Sequence, residues 1–293
     1  MKVDIECATC LVKRAVLGVS LATEDPEKRM DILTETLKVI SDNFNKDAVP
    51  SRIGTLRDRK IKQLSGKDPY AQIKKESNKM AISIRDILEQ ELENLSPSER
   101  FRKTCLIAAA GNVIEFGISE NQFTLEDLDK IISSVEDDLI IDGIDEFYEL
   151  VQNSKTIAFL TDNAGEIALD TLLVKELSKS SQVTVVVKGA PILNDATMED
   201  ALYVGMDKVC KKLITSGTDA IGTYLPESSE EFRDLLNETD LIVAKGMGHF
   251  ESLTELTFKQ PVVHMFRTKC ERVARFVGVP TGKNVILIRH PTK

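Results

Sequence analysis

Two short stretches of this chain place oxygen-donor side chains where a ligand would find them. In TIAFLTDNAGE, Asp162 and Asn163 follow a β-branched and aromatic run directly and precede Gly165 and Glu166. In VTVVVKGAPILNDAT, a second such run is followed by Lys188, Gly189, Pro191 and then Asp195. Two carboxylates and a carboxamide are hard donors, suited to Mg2+ or Mn2+ with water or substrate oxygens completing the shell. Such a set favours phosphate chemistry. Asp and Asn are also ordinary helix N-caps, and each loop from strand to helix needs one. Two acidic loops at successive strand ends, each shaped by Gly or Pro, weigh toward a site.

Two later turns add groups that could meet an anion. Thr215-Ser216-Gly217-Thr218 is a hydroxyl- and glycine-rich turn whose N–H groups could form a nest around Gly217. Lys245-Gly246-Met247-Gly248-His249 sets a lysine beside two glycines, so Lys245 is the candidate electrostatic stabiliser of phosphate oxygens and Gly246 a candidate backbone contact. This GxG lies at a late strand and lacks the third glycine of a dinucleotide fingerprint. His249 could act as acid or base or serve as a hydrogen-bonded structural histidine, whereas His264 in an apolar run and His290 in the tail suit structural roles.

The elements that must position these groups are legible in the hydrophobic period. Up to about Leu150 the apolar residues recur at helical spacing, as in Ile82, Ile84, Ile87, Leu88 and Leu92, so this half is expected to be all helix. After Ser154 the pattern becomes short β-branched runs separated by amphipathic segments: Thr156–Leu160, Val183–Val187, Val209–Ile214, Leu241–Ala244, Val262–Met265 and Val285–Ile288. Strands alternating with helices imply right-handed crossovers and a parallel sheet. The expected fold is α/β, a three-layer α/β/α doubly wound and mostly parallel sheet. An N-terminal helical domain, residues 1–150, is expected to pack over the active site, and residues 151–293 to form the core carrying the metal site. In such a sheet ligands bind beyond the carboxyl ends of the strands.

With 293 residues and 42% hydrophobic content the chain can bury a sizeable core. Its net charge of −9 disfavours nucleic acid or anionic lipid as a partner held by bulk electrostatics. Charges at Lys2, Asp4 and Glu6 interrupt the first residues, and no segment approaches a membrane span, so a cytoplasmic protein is expected. The odd number of cysteines, Cys7, Cys10, Cys105, Cys210 and Cys270, suits a reducing compartment. Cys7 and Cys10 form a CxxC that could be structural or a functional dithiol, without a second Cys or His pair to complete a metal site.

DNAGE, KGxPxxNDAT and KGxGxxE, in that order, resemble the damage-control phosphatase family. The N-terminal half agrees in its CxxC, in Gly66-Lys67-Asp68-Pro69-Tyr70 followed by Asn78, and in Ala109-Ala110-Gly111-Asn112 leading to Glu115-Phe116-Gly117. The early CxxC resembles the stand-alone microbial branch. The resemblance implies a metal-dependent phosphatase of small phosphorylated metabolites such as sugar phosphates. It implies that Asp162, Asn163 and Asp195 hold Mn2+, Mg2+, Co2+ or Ni2+, that Asp162 and Asp195 act with Lys245 in catalysis, and that Lys245 touches the phosphate. Asn112 and Glu115 would be substrate contacts. The chain departs from the family pattern at Met247 and His249, where glutamine and asparagine are usual, and at Glu115, where aspartate is usual. Rival readings are a phosphometabolite- and metal-binding module without turnover, and a redox protein built on Cys7 and Cys10. A methyltransferase is disfavoured because no glycine-rich nucleotide loop follows the first strand.

Overall fold

Each of the six runs read as strands forms one, and their alternating side chains build the two faces of a single sheet. The structure is a computed structural model and describes residues 1–111 and 124–291. In chain order, helices α1 (Ile5–Ala22), α2 (Pro26–Asn43), α3 (Pro50–Ser65), α4 (Ala71–Gln90), α5 (Pro97–Ala110) and α6 (Leu125–Asp137) come first. Then follow β1 (Leu139–Asp142), α7 (Ile144–Asn153), β2 (Thr156–Leu160), α8 (Glu166–Leu177), β3 (Gln182–Val187), α9 (Met198–Tyr203) and β4 (Lys212–Thr215). The chain continues through α10 (Glu230–Glu238), β5 (Leu241–Lys245), α11 (Gly246–Leu253), β6 (Val262–Arg267), α12 (Glu271–Val277) and β7 (Asn284–Arg289).

The seven strands lie in the order β1-β7-β6-β5-β2-β3-β4, parallel except where β7 runs antiparallel to β6. The chain moves from β2 outward to β3 and β4, then returns to the other side of β2 for β5 and β6. Strand order therefore reverses between β2 and β5, and a crevice opens there beyond their carboxyl ends. One strand was not expected: Leu139–Asp142 lies in the half read as all helix. It is a four-residue edge strand, alternately half-buried and exposed, with an irregular register against β7. A run this short carries no period that separates strand from helix.

Burial follows the strand period of two. Ile157 and Phe159 of β2, with Leu241 and Val243 of β5, face a cluster shared with α4 to α8, which includes Leu88, Phe101, Phe147 and Leu173. Ala158, Leu160, Ile242 and Ala244 face the opposite cluster, closed by Phe232 and Leu236 of α10 and Leu253 of α11. Each fully buried large side chain contributes about 1.5–3 kcal/mol. The result is three layers, α/β/α.

Helices from the first half of the chain pack in two places. α4 and α5 lie against α8 on the sheet's first face, within the same cluster as the strands. α1, α2 and α3 form small cores of their own around Leu11, Ala15, Ile53 and Ile61. They meet α11 and α12 beyond the strand ends. Local signals set their limits: Asp4 caps α1, Asp25 accepts from Glu27 N–H at 2.9 Å before Pro26, and Gly66 ends α3 at φ 77°. Arg59 of α3 ties this group to the core through Asp219 and Glu227. Among the described residues no helix is long and apolar enough to cross a membrane.

Candidate active site

The loops after β2 and β3 are held together by their own backbones. Ala164 N–H donates to the Asn194 carbonyl and Ala196 N–H to the Asp162 carbonyl, both at 2.8 Å, and an isolated antiparallel bridge pairs Asn163 with Asp195. Asp162, Asn163 and Asp195 thus come to one place at the switch point. Leu193, in the same loop as Asp195, has φ 46°, a conformation side chains other than glycine avoid. Backbone strain of this kind persists where surrounding contacts over-determine it.

The side chains are fixed from below. Asn163 Nδ2 donates to Asp162 Oδ2 at 3.0 Å and to Glu166 Oε1 at 2.7 Å. Both partners are carboxylates, so the amide nitrogen must face them and Oδ1 is the atom available to a cation. Burial, then the charges of Glu166 and Asp195, push the Asp162 carboxyl well above its usual range. Burial also raises Asp195, against the pull of Lys188, whose ammonium lies 3.6 Å from Asp195 Oδ2 and donates to the carbonyls of Ala220 at 2.8 Å and Gly222 at 2.6 Å. Crowded acidic groups of this kind are relieved by a cation. Among the described residues no three His, Cys, Asp or Glu form a ligand cluster. Two carboxylates and a carboxamide are a hard oxygen donor set, whose chemistry fits Mg2+ or Mn2+ better than Zn2+.

A cavity of about 700 Å3 opens above these residues. Asp162, Asn163 and Asp195 line it, and Cys7, Cys10 and Arg14 of α1 and Ser51 and Arg57 of α3 line it from the helical side. Lys269 and Cys270, between β6 and α12, and Glu251 of α11 complete the wall. Arg57 is committed to Asp58, with Nε to Oδ1 at 3.1 Å. Arg14 and Lys269 are exposed and hold no ion pair or side-chain hydrogen bond among the described residues. Lys269 lies close enough to Asp162 to pull its carboxyl down. Burial raises the Glu251 carboxyl to about 7.

Several expected contacts take other positions. Lys245 is fully buried and does not line the cavity. Its ammonium donates to Asp170 Oδ1 at 2.6 Å and to the Ala108 carbonyl at 2.9 Å, with Glu166 Oε2 at 3.9 Å. It therefore neutralises the carboxylates beneath Asn163. Gly246 does reach the site, because its φ of 79° and missing Cβ make room for the Asp162 carboxylate. Gly217 lies outside the cavity lining. Its N–H bonds Thr215 Oγ1 at 3.3 Å and the Ser216 N–H bonds the Val187 carbonyl at 2.8 Å, so those amides are occupied. His249 is buried, pulled well below its usual range by burial and Lys188, and bonds Thr223 Oγ1 at 2.9 Å and the backbone of Thr161. It braces the strand end just before Asp162. Asn112 and Glu115 lie outside the described residues.

The roles of three residues escaped the sequence reading: Lys188, buried behind Asp195, and Lys269 and Arg14 on the cavity wall. Lys188 stood in a motif already noted. Lys269 follows β6 at the same sheet edge as the other loops and could have been found by reading that strand end too. Arg14 lies on the helical face of Cys7 and Cys10 at spacings of three and four residues, a pattern legible once α1 is known to face the site.

The chain matches the model of the damage-control phosphatase ARMT1-like domain over residues 3–285. It is 34% identical over 288 residues to a damage-control phosphatase of Archaeoglobus fulgidus, covering 97% of this chain and 98% of that one. It is 33% identical over 291 residues to a damage-control phosphatase of Pyrococcus horikoshii, covering 98% of each. A crystal structure of a DUF89 family protein from P. horikoshii superposes with a TM-score of 0.90 at 33% identity, covering 100% of both chains. The fold and its switch-point site define an α/β protein of the doubly wound class. Within that class, the chain belongs to the damage-control phosphatase ARMT1-like family.

Proposed function

We propose that this protein is a divalent-metal-dependent phosphatase that hydrolyses phosphomonoesters of small metabolites, sugar phosphates or related damaged metabolites among them. The observation that carries this reading is the charge order of one cavity, with Asp162, Asn163 and Asp195 at its floor and the unengaged cations of Arg14 and Lys269 on its walls. A phosphate ester needs both layers. Asp162, Asn163 Oδ1 and Asp195 would hold Mn2+, Mg2+, Co2+ or Ni2+. When bound, the ion supplies Lewis acidity toward a phosphate oxygen.

The protein's own groups supply the rest. Arg14 and Lys269 bind and orient the remaining phosphate oxygens, concentrating positive charge where the transition state needs it. Lys245 works one layer down, holding the charges of Asp170 and Glu166 so that Glu166 keeps Asn163 in place. Glu251, still half protonated near neutral pH, lines the cavity and hands a proton to the departing alcohol. Helices α1 and α3 enclose the substrate from the N-terminal side.

Phosphate release from a panel of sugar phosphates and an aryl phosphate, with each metal or with chelator, tests the reading. Metal-dependent release by the wild type that disappears in Asp162→Ala is the expected result. Metal binding without any turnover would favour a binding module. Release that survives Asp162→Ala would place the active site elsewhere.

A further inference from the structure

Asn78 of α4 is 2% exposed, and its carboxamide joins the loop after β2 to the first turn of α9. Its Oδ1 accepts the Gly165 N–H at 2.8 Å and its Nδ2 donates to Asp200 Oδ1 at 2.8 Å. Asp200 in turn accepts through Oδ2 from the Thr197 N–H at 2.8 Å, from Thr197 Oγ1 at 2.6 Å and from Lys74 Nζ at 2.6 Å. Gly165 lies two residues past Asn163, and Thr197 lies two residues past Asp195. One flat group from a helix outside the sheet thus holds the first loop directly and the second through Asp200 of α9, at equivalent points along each. Gly165 has φ 82°, so the N–H that Asn78 receives belongs to a residue held in the left-handed region.

The chemistry of this position admits little variation. One end of the group must accept from an amide and the other must donate to a carboxylate. A carboxylate or an alkyl group satisfies one demand at most, and a hydroxyl, which can both donate and accept, has a single atom where the carboxamide has two separated ones. A buried amide or carboxylate left unpaired is costly, and the loop would relieve that cost by moving. Asn78 touches neither the cavity floor nor its walls, so its influence on the site passes through the backbone of both loops.

We infer that Asn78, with Asp200 and Lys74 behind it, is a positioning residue that sets the spacing of the Asp162-Asn163 and Asp195 loops and thereby the affinity for the cation. The inference rests on the metal-dependent reading above. Outer partners of this kind typically change metal affinity by about 10–100-fold when removed.

The test is Mn2+ binding, followed by the electron paramagnetic resonance of the free ion well below the melting temperature, on the whole protein. Asn78→Asp sets two carboxylates face to face, and Asp200→Asn, with its oxygen kept on Thr197 and Lys74, sets its amide nitrogen against the Asn78 amide nitrogen. Each single substitution should weaken Mn2+ binding by about 10–100-fold. The reciprocal exchange, Asn78→Asp with Asp200→Asn, restores every donor to an acceptor and should return the affinity to within a few-fold of wild type. Wild-type affinity in folded single variants would overturn the proposal while leaving the metal site intact. If a single variant does not fold, the exchanged protein decides alone, and weak binding by it once folded overturns the proposal. Failure of the wild type to bind Mn2+ in a way that depends on Asp162 would overturn both the metal-dependent reading and the clamp.

Discussion

Gly246 and Asp162 sit against each other across the switch point, and a single methyl group on Gly246 would occupy the space of the Asp162 carboxylate. The two residues come from the ends of β5 and β2, the pair of neighbouring strands between which the order reverses. Gly246 also holds φ 79°, so an alanine is unfavourable there on backbone grounds alone, by about 1 kcal/mol. Gly246→Ala should therefore displace Asp162 and lower kcat/KM by about 100-fold or more, since a shift of roughly 1 Å in a reacting group has that effect. Phosphate release with Mn2+ checks this. A folded alanine variant with wild-type kinetics would show that Asp162 has room the structure denies it.

The cavity wall and the buried lysine should separate in kinetics and stability. Lys269→Ala and Arg14→Ala remove exposed cations and should leave the melting temperature nearly unchanged while lowering kcat/KM by about 10–100-fold, the loss expected for a charge-assisted phosphate contact of roughly 1.5–3 kcal/mol. Lys245→Met instead strands Asp170 and Glu166 beneath the site and should destabilise the fold by about 3–5 kcal/mol. Replacing the pair together, Lys245→Met with Asp170→Leu, should recover much of that stability. Thermal unfolding and steady-state kinetics on the same variants check the separation. A Lys245→Met protein of unchanged stability with an impaired KM would return Lys245 to the phosphate.

Glu251 gives the site a pH signature. Its carboxyl, raised to about 7 by burial, donates a proton only while protonated. Hydrolysis of alkyl and sugar phosphates should then fall as pH rises through about 7, whereas an aryl phosphate, whose phenolate leaves without help, should show no such limb. Glu251→Gln should slow the former by about 100-fold and the latter by little. Equal losses on both substrate types would remove Glu251 from the proton transfer.

How much of this was written in the sequence depends on what each residue answers to. The β-branched runs marked six strands because burial on both faces of a parallel sheet demands them. The meeting of Asp162, Asn163 and Asp195 was legible because successive loops at strand ends converge at the switch point. Lys245 lies elsewhere than its motif suggested for a physical reason: position after a strand fixes the Cα, while the side chain's direction depends on partners elsewhere in the chain, here Asp170 and Ala108. Gly217 misled similarly, since a turn rich in N–H groups can spend them on neighbouring hydroxyls and carbonyls. Arg14 and the contacts of Asn78 were hidden for the same reason, because only tertiary packing brings α1 and α4 to loops far along the chain. Leu139–Asp142 became a strand through its neighbour β7.

His264 offers a test of the core away from the chemistry. It is fully buried in β6 beside Phe250, with both ring nitrogens unpaired among the described residues, and burial pulls it down to about 3. The unfolded chain takes up a proton on this residue below about pH 6.5, while the folded chain does not until about 3, so the residue lowers stability progressively as pH falls across that window. Replacing it by leucine removes an unsatisfied polar group at neutral pH and the whole titration at acid pH. His264→Leu should gain about 1 kcal/mol at pH 7, and the gain should grow to roughly 4 kcal/mol near pH 4.5, at about 1.4 kcal/mol for each unit of separation from the unfolded value. Denaturant unfolding of both proteins at a series of pH values checks it, because the carboxylates titrate alike in each and cancel in the difference. A difference that stays constant between pH 7 and 4.5 would mean that His264 finds a partner when it is protonated in the folded state.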